Sequence, residues 1–277
     1  MIHLNGRLMD SAIARIDPAD RGFLLADGLF ETLRAYDGGP FALQAHLARL
    51  SDGAASIDLP MPPMAEIAAA VAQTLQANGH REASVRITLT RGPGPRGLLP
   101  PAEPTPTWMV ATSPTADSGS APWTAKIVSI RRNEHSPLSR LKSLAYLDSV
   151  LALKEAAASG ADEALMLNSA GRLAGGSRSN LFLVLSGVLV TPPPSEGALP
   201  GIARRQLLDL AGAAGMKTRE VPLSIEDVEL ASEAFVSNSL IEVRSLANLN
   251  GNLFATGPVA AKLACLYAQE TRAPGVA

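Results

Sequence analysis

The chain has 277 residues, of which 47% are apolar and 18% charged, so it can form a sizeable core in one large or two ordinary domains. A net charge of −2 without a basic block argues against nucleic acid and acidic membrane surfaces as partners. One cysteine, Cys265, and four scattered histidines indicate no disulfide and no metal site, and the lack of a leader or a long apolar run indicates a cytoplasmic protein with no membrane helix.

The first part of the chain alternates short predicted strands with helices. Asn5-Gly6 predicts a hairpin within IHLNGRLM, and Asp37-Gly38-Gly39 predicts the turn of a second one. Apolar residues at helical spacing predict helices in LQAHLARLSDGAASI and in MAEIAAAVAQTLQANG, where Gly79 is the expected C-terminal stop. Strands are predicted for EASVRITLT and PTWMVATS.

A small, polar stretch with two prolines, SPTADSGSAP at 113–122, is typical of a linker. We predict an N-terminal domain at 1–115, a linker at 116–122 and a C-terminal domain at 123–277. The second domain should begin with the strand WTAKIVSIRR and end with the helix PVAAKLACLYAQE. The predicted fold class is α+β, with a small N-terminal α/β domain and a larger C-terminal mixed-sheet domain.

Lys142 lies between leucines just before a predicted helix, in a chain where only five of 24 basic residues are lysines. A cation that only needs hydration can be an arginine, but a group that must lose its proton and attack an electrophile cannot. Lys142 is therefore a candidate nucleophile. It also forms S-x-x-K with Ser139, the spacing of penicillin-recognising acyl-serine enzymes, although the partner motifs S-D-N and K-T-G are absent. That alternative stays open.

A candidate anion site lies where Pro200-Gly201 precede a predicted helix. The N–H groups of Gly201, Ile202 and Ala203 are expected to point at whatever lies in front of that helix. Ser237 and Asn238, after a predicted strand, supply further donors, and Arg49 could bind a phosphate through two parallel hydrogen bonds. An ordinary loop-to-helix turn and a solvated arginine are the alternatives.

The segment RGPGPRG formally matches the dinucleotide fingerprint G-x-G-x-x-G after a strand. Pro93 and Pro95 within it, and Pro100-Pro101 beyond it, prevent the helix that would hold a pyrophosphate. We predict instead a stiff loop that presents Arg91 and Arg96, either for binding or as a solvated surface.

A nucleophilic amine together with a phosphate seat indicates pyridoxal 5'-phosphate chemistry. The sequence resembles the class IV aminotransferases, pyridoxal phosphate enzymes of fold type IV that include branched-chain and D-amino-acid aminotransferases and aminodeoxychorismate lyase. The segments that carry the resemblance, in order, are DRGFLLADGLFETLR (20–34), HLARL (46–50), LTRGPGPRG (89–97), LKSLAYLDSVLALKEA (141–156), GADEALMLNSAGRLAGGSRSNLF (160–182), GALPGIARRQLL (197–208) and FVSNSLIEV (235–243).

The resemblance implies that Lys142 is the Schiff-base lysine and the base that moves a proton between the substrate Cα and the cofactor C4′. It implies a homodimer that exchanges an amino group between an amino donor and a keto acid, with no role for Lys154. The residues it assigns to cofactor binding are Arg49, Tyr146, Gly175, Ser177, Ile202, Ala203, Ser237 and Asn238. Those it assigns to the substrate side are Phe30, Arg34, Arg91 and Arg96.

Two residues depart from the family pattern. Gly175 stands where the family has a glutamate that keeps the pyridine nitrogen protonated, and Ala203 stands where it has a threonine. Arg178 or a water could replace the glutamate, the chemistry could need a weaker electron sink, or the chain could be a cofactor-binding relic of low activity. Aminodeoxychorismate lyase, which eliminates pyruvate to give 4-aminobenzoate, is the alternative activity.

Overall fold

The structure, a computed structural model, describes residues 1–115, 119 and 121–272. Two compact units occur within these ranges. The first comprises 1–115 and Leu141–Ala145, and the second comprises 119, 121–140 and Tyr146–Arg272. Residues 116–118 and 120 of the predicted linker lie outside the described part of the chain. The segment Leu141–Ala145 thus belongs to the first unit although its neighbours in sequence belong to the second.

The first unit, in its described residues, contains one antiparallel sheet and three α-helices. The sheet order is β2-β1-β6-β5-β3-β4. The elements are β1 (Ile2–Leu4), β2 (Arg7–Met9), α1 (Arg21–Leu25), β3 (Gly28–Tyr36), β4 (Gly39–Pro40), α2 (Leu43–Ser56), α3 (Met64–Asn78), β5 (Ala83–Thr90) and β6 (Thr107–Pro114).

The local signals predicted for this unit are confirmed with small shifts. Asn5 and Gly6 have φ of 48° and 81° and join β1 to β2, as a tight hairpin requires. Asp37 and Gly38 form the second turn, while the next residue already pairs in β4. Gly79 ends α3 in the left-handed conformation. Strand β6 continues through residues 113 and 114, which belong to the linker-like stretch of the sequence.

Strands β3 and β5 separate the two faces of the first sheet by simple alternation. Leu29 and Leu33 of β3, with Ile87 of β5, pack against apolar residues of α2 and α3 in the core. The even-numbered residues of both strands point to the opposite face, where Phe30 pairs with Thr88 in the register. That face carries the ring of Phe30, which Lys142 and Arg86 contact.

The second unit, in its described residues, is built on a mixed sheet, as predicted. The sheet order is β12-β11-β10-β13-β14-β7-β8-β9, with β15 paired to β14. Pairs β11/β12, β14/β7 and β7/β8 are parallel. The elements are β7 (Trp123–Arg132), α4 (Leu147–Ala157), β8 (Glu163–Asn168), β9 (Leu173–Gly176), β10 (Asn180–Leu185), β11 (Val188–Thr191), α5 (Ile202–Ala213), β12 (Thr218–Glu220), α6 (Glu226–Leu230), β13 (Glu233–Asn238), β14 (Glu242–Leu249), β15 (Asn252–Leu253) and α7 (Pro258–Arg272).

Two 3₁₀ turns, Pro137–Ser139 and Pro194–Glu196, complete the second unit. None of the helices in the described ranges combines the length and the apolar character that a bilayer crossing requires.

Candidate active site

Lys142 lies in an extended segment that pairs with the free edge of β3, not in the helix that follows it. The amide of Phe30 donates to the carbonyl of Lys142 at 2.9 Å, and the amide of Leu144 donates to the carbonyl of Gly28 at 3.0 Å. Gly28 permits this approach, since a Cβ there would lie 2.8 Å from Leu144 Cδ1 and 2.5 Å from the carbonyl oxygen of Leu89. The backbone of the lysine is therefore fixed by strand pairing.

The side chain of Lys142 lies against an aromatic ring. Its Nζ is 4.3 Å from the ring centroid of Phe30, and Cζ of Arg86 is 4.0 Å from the same centroid. Both contacts are within the distance at which a cation interacts with a ring face. Two cationic groups thus share the ring of one buried phenylalanine.

Arg86 was not among the residues predicted for the site. The alternation in EASVRITLT places Arg86 and Thr88 on one face of β5. Only the pairing of β5 with β3 shows that this is the face of Phe30. Alternation was visible in the sequence, but the register of the two strands was not.

Glu31, the residue after Phe30, lies on the core face of β3 and is 1% exposed. Arg49 of α2 donates from Nε to Glu31 Oε1 at 2.8 Å and from Nη2 to Oε2 at 2.7 Å. His46, one turn earlier on α2, has its Nδ1 2.7 Å from Glu31 Oε2. A bidentate arginine and a histidine thus bind both oxygens of one buried carboxylate.

The electrostatics of this cluster determine its protonation. Burial raises the pKa of Glu31, but hydrogen bonds from His46 and Arg49 outweigh it and lower the pKa to about 2. Burial lowers the pKa of His46, and the positive charges of Arg49 and Lys142 lower it further, against the opposing effect of Glu31. Glu31 is therefore ionised and His46 neutral near pH 7, with the proton of His46 on Nδ1.

The predicted substrate-side arginines have different environments. Arg34 lies four residues beyond Phe30, about 13 Å along β3, where Nη2 contacts Glu82 at 3.3 Å and the guanidinium lies over Tyr36 at 4.7 Å. Arg96 is exposed on the loop after β5.

Arg91 is buried, which corrects the expectation that its loop presents it. Its Nε donates to Asp27 at 2.9 Å, and its two terminal nitrogens donate to the carbonyls of Asp58 and Ile57 at 2.8 Å. Burial raises the pKa of Asp27, but hydrogen bonds from Arg91 and Arg21 outweigh it and the pKa is lowered. Asp27, 64 residues away in sequence, thus keeps the side chain of Arg91 buried.

Arg21 fixes the same loop from α1. It donates to the carbonyls of Gly97, Leu98 and Leu99 while its Nε bonds Asp27 at 2.8 Å. The loop backbone is therefore anchored, as the stiff-loop prediction expected, although the side chains of Leu98 and Leu99 are exposed.

The start of α5, where the sequence predicts an anion seat, lies in the second unit. Gly201 precedes the helix without a side-chain cap, so the first N–H groups, those of Ile202 and Ala203 included, have no partner within the helix. Asn180 of β10 supports this turn by donating from Nδ2 to the Leu199 carbonyl at 2.9 Å. A Cβ at position 201 would lie 2.1 Å from Asn180 Oδ1, so only glycine fits.

Ser237 lies beside this seat, because it is the register partner of Asn180 in the β10/β13 pair. It is fully buried, and its Oγ has no hydrogen-bond partner among the described residues. A buried hydroxyl without a partner costs free energy, so a bound acceptor would be stabilised by the Ser237 hydroxyl. The side chain of Asn238, in contrast, bonds the amides of Leu240 and Ile241 and the Arg178 carbonyl.

The turn from Gly175 to Ser179 wraps around a buried acid, Glu163. Ser177 donates to Glu163 from both its amide and its Oγ, at 3.1 and 2.5 Å, and Ser179 Oγ donates at 2.9 Å. Gly175 has a φ of 137°, a backbone conformation that residues with a Cβ atom rarely adopt. This position therefore has no side chain and a backbone that disfavours one.

Arg178, within this turn, has contacts of its own. Its Nη2 donates to the Asp162 carbonyl at 3.2 Å, its Nε is 3.7 Å from Glu163, and its guanidinium lies 5.2 Å from the ring centroid of Trp123. These contacts occupy the group that the sequence offers as a replacement for the missing glutamate.

Arg132 is a second residue that the sequence analysis missed. Its terminal nitrogens donate to the carbonyls of Gly176 and Gly197 at 3.3 and 3.4 Å. Burial lowers the pKa of Arg132, against raising effects from Tyr146, Glu163 and Asp148. Tyr146, predicted near the cofactor, thus lies in the electrostatic surroundings of this arginine at the start of α4. In the sequence, nothing distinguishes Arg132 from its neighbour Arg131 at the end of the predicted strand WTAKIVSIRR.

Comparison with known proteins agrees with this architecture. The amino-transferase class IV family model matches residues 28–249. A Methanocaldococcus jannaschii protein named "Putative branched-chain-amino-acid aminotransferase" is 38% identical over 256 residues, covering 91% of this chain and 88% of the relative. An aminodeoxychorismate lyase of Bacillus subtilis is 29% identical over 278 residues, covering 98% and 95%.

Among solved structures, a branched-chain amino acid aminotransferase from T.th. with pyridoxamine 5'-phosphate matches with a TM-score of 0.92 at 27% identity. The match covers 99% of this chain and 95% of that chain. The chain belongs to the class IV aminotransferase family, whose members are pyridoxal phosphate enzymes of fold type IV. The predicted family and fold are confirmed, and both predicted activities, transamination and the lyase reaction, occur among the relatives.

Proposed function

We propose that this chain is a pyridoxal 5'-phosphate-dependent aminotransferase that moves an amino group between an amino acid and a keto acid, with Lys142 as its reactive amine. The observation that carries the proposal is the double fixation of Lys142 on β3, through the Phe30 amide and through the Phe30 ring. A lysine needed only for solubility would not be held in this way.

The residues present fit the phosphate of that cofactor. The buried Oγ of Ser237, the uncapped start of α5 and the side-chain-free Gly201 make a donor-lined space for an anion. Ile202 and Ala203 would hold the phosphate through backbone N–H groups. The loss of a threonine at 203 costs about 0.5–1.5 kcal/mol if one neutral hydrogen bond is lost.

When bound, pyridoxal phosphate supplies the electron sink that allows a proton to leave the Cα of an amino acid. Lys142 Nζ would hold the cofactor through its amine, and would accept and return the Cα proton of the substrate. Neutral His46, whose pKa the charge of Lys142 helps to lower, and ionised Glu31 lie in the same unit as Lys142. Arg86, on the ring that Lys142 also contacts, is placed to bind a substrate carboxylate near that amine.

Gly175 bears on the strength of the sink. No side chain at that position can carry a charge or a hydrogen bond, and Arg178 is engaged with Asp162, Glu163 and Trp123. Three explanations stay open: a water in place of the glutamate, a reaction that needs a weaker sink, and a relic of low activity. Measured amine transfer that disappears in Lys142→Ala would dismiss the relic.

The reactive lysine is tested by chemical trapping. Purified protein with pyridoxal phosphate is treated with borohydride, digested and mapped by mass spectrometry, and we expect the pyridoxyl group on Lys142. Lys154, exposed in α4, provides the matched control: Lys154→Ala should keep both labelling and activity, and Lys142→Ala should lose both. Labelling of another residue in the native chain would refute the proposal.

The substrate is found by following the absorbance of the bound cofactor during a screen of L- and D-amino acids. A donor that converts the cofactor to its amine form, followed by recovery on addition of a keto acid, is the expected two-step pattern. This screen also decides the handedness of the substrate.

Aminodeoxychorismate lyase is the second candidate, because a relative with that name matches across 98% of this chain. Incubation with aminodeoxychorismate and detection of 4-aminobenzoate separate the two activities. The acyl-serine alternative has no support: Ser139 Oγ donates to the carbonyl of Asn133 at 2.6 Å, and this places no base on the hydroxyl.

We further propose that the chain works as a homodimer. Two helices carry exposed apolar side chains, at Phe23 and Leu24 in α1 and at Leu147, Val150 and Leu151 in α4. Apolar clusters of this kind are typical of surfaces that another chain covers. Light scattering coupled to size-exclusion chromatography should give twice the mass of 28.8 kDa, and a single-chain mass would contradict the proposal.

A further inference from the structure

The buried pair of Glu31 and Arg49 is not explained by stability alone. Removal of two charges from water is costly, and well-packed apolar residues at such positions are often as stable or more so. Glu31 nevertheless lies on the core face of β3 between Leu29 and Leu33, where apolar side chains would fit the alternation. A carboxylate at this position must therefore serve something besides packing.

The geometry shows what the carboxylate restrains. It takes both Nε and Nη2 of Arg49, so one whole edge of the guanidinium is fixed in a plane. It also binds His46, three residues earlier on the same face of α2, which ties that helix to β3 at a second point. Arginine has a long, rotatable stem, so this clamp selects one arrangement of the guanidinium in advance.

We propose that Glu31 is a positioning residue that holds Arg49 ready for the phosphate of the cofactor. This inference rests on the proposed function. Glu31 itself touches no ligand: its two oxygens are directed at Arg49 and His46. Glu31 affects the ligand only through the orientation of the Arg49 guanidinium. The affinity for a ligand without a phosphate should therefore not depend on Glu31.

This distinction defines the test, which compares pyridoxal phosphate with pyridoxal. The chain is freed of bound cofactor, and the dissociation constant of each compound is measured by fluorescence titration. In Glu31→Gln we expect the affinity for pyridoxal phosphate to fall about 10–100-fold, by analogy with the loss found when a residue that orients a metal-binding side chain is removed. The affinity for pyridoxal should stay unchanged.

Two further variants guard the interpretation. Glu31→Asp keeps the charge but shortens the stem, so it should fold and still lose part of the preference for the phosphate-bearing compound. Asp37→Asn removes the carboxylate of an exposed ion pair with Arg81 in the same unit, and it should change the affinity for neither compound. Circular dichroism confirms that each variant is folded.

The outcomes are distinct. A selective loss for pyridoxal phosphate in both Glu31 variants supports the inference. An equal loss for both compounds would mean that Glu31 supports only the fold, and no loss would mean that Arg49 needs no clamp; either result overturns it while the proposed function stands. A native chain that binds neither compound would overturn the proposed function itself.

Discussion

The backbone amide of Phe30 donates to the carbonyl of Lys142, and the ring of the same Phe30 lies 4.3 Å from Lys142 Nζ. One residue of β3 thus holds the lysine at both its backbone and its amine. Helix α4 begins only at Leu147, five residues later. The position of the amine therefore depends on the edge of the first sheet more than on the helix that follows.

Gly28→Ala tests this dependence. The new methyl group would lie 2.5 Å from the Leu89 carbonyl oxygen and 2.8 Å from Leu144 Cδ1, so β3 must shift against β5 and the side chain of Leu144, beside Lys142, must move. We expect a loss of about 1–3 kcal/mol in the free energy of unfolding, the usual cost of overpacking. We also expect a marked loss of borohydride labelling at Lys142, measured by mass spectrometry.

The matched control is Gly212→Ala. Gly212 is an exposed glycine inside α5, and a Cβ there meets nothing within 4 Å. Alanine favours helix over glycine by about 0.5–1 kcal/mol, so this variant should be as stable as the native chain or more stable, with labelling unchanged. Equal behaviour of the two alanine variants would show that the close approach at Gly28 does not matter.

Local chemistry made parts of this fold predictable from the sequence. Asn5-Gly6 and Gly79 act through their own backbone preferences, so the first hairpin and the end of α3 could be placed without knowledge of the rest. The return of Leu141–Ala145 to β3 depends on pairing between residues far apart in the chain, Leu29 with Ser143, and nothing local indicates it.

The same reason explains which site residues were found. Lys142 stood out because lysines are few, whereas nothing in LFETLR singled out Glu31. Its burial follows from the alternation set by Leu29 and Leu33, and its partners lie 15 and 18 residues away on α2. Arg91 was expected to be presented by its loop, and a long-range partner, Asp27, prevents that.

Arg86→Ala tests the proposed carboxylate contact. Loss of a charge-assisted hydrogen bond costs about 1.5–3 kcal/mol, so we expect KM for the keto acid to rise roughly 10–100-fold, with a smaller change in kcat. Arg86→Lys should restore only part of the loss, since a lysine lacks the planar pair of donors. Arg81→Ala removes another exposed arginine of the unit as a control, and an equal KM in Arg81→Ala and Arg86→Ala would exclude the contact.

Gly175→Glu asks whether the family's usual glutamate could be accommodated in this chain. At φ of 137° a side chain is strained, and its Cβ would lie 3.4 Å from the Ser179 carbonyl oxygen. We expect the free energy of unfolding to fall by about 1–3 kcal/mol in urea titrations. Gly212→Glu, on the exposed face of α5, introduces the same side chain without strain and should not destabilise; a stable Gly175→Glu would show that the turn adapts.

Acid titration of stability should reveal the ionised Glu31. Its pKa is lowered from 4.5 to about 2 in the folded chain, because hydrogen bonds from His46 and Arg49 outweigh the effect of burial. A group with a lowered folded-state pKa contributes stability that is complete above the unfolded value and is lost as the pH falls through the folded value. Here the window runs from about pH 5 down to about pH 2, and the contribution is about 3 kcal/mol at 1.36 kcal/mol per pH unit.

Urea unfolding at pH 7, 5, 4 and 3 should therefore show a steeper decline below pH 5 in the native chain than in Glu31→Gln, while the surface control Asp37→Asn should follow the native curve. His46, whose pKa burial lowers, also loses stabilisation on acidification, in a window that begins near pH 6.5 and continues below it, so the carboxylate is read from the difference between the native chain and Glu31→Gln. Parallel curves for the native chain and Glu31→Gln below pH 5 would mean that Glu31 is not held ionised by Arg49 and His46.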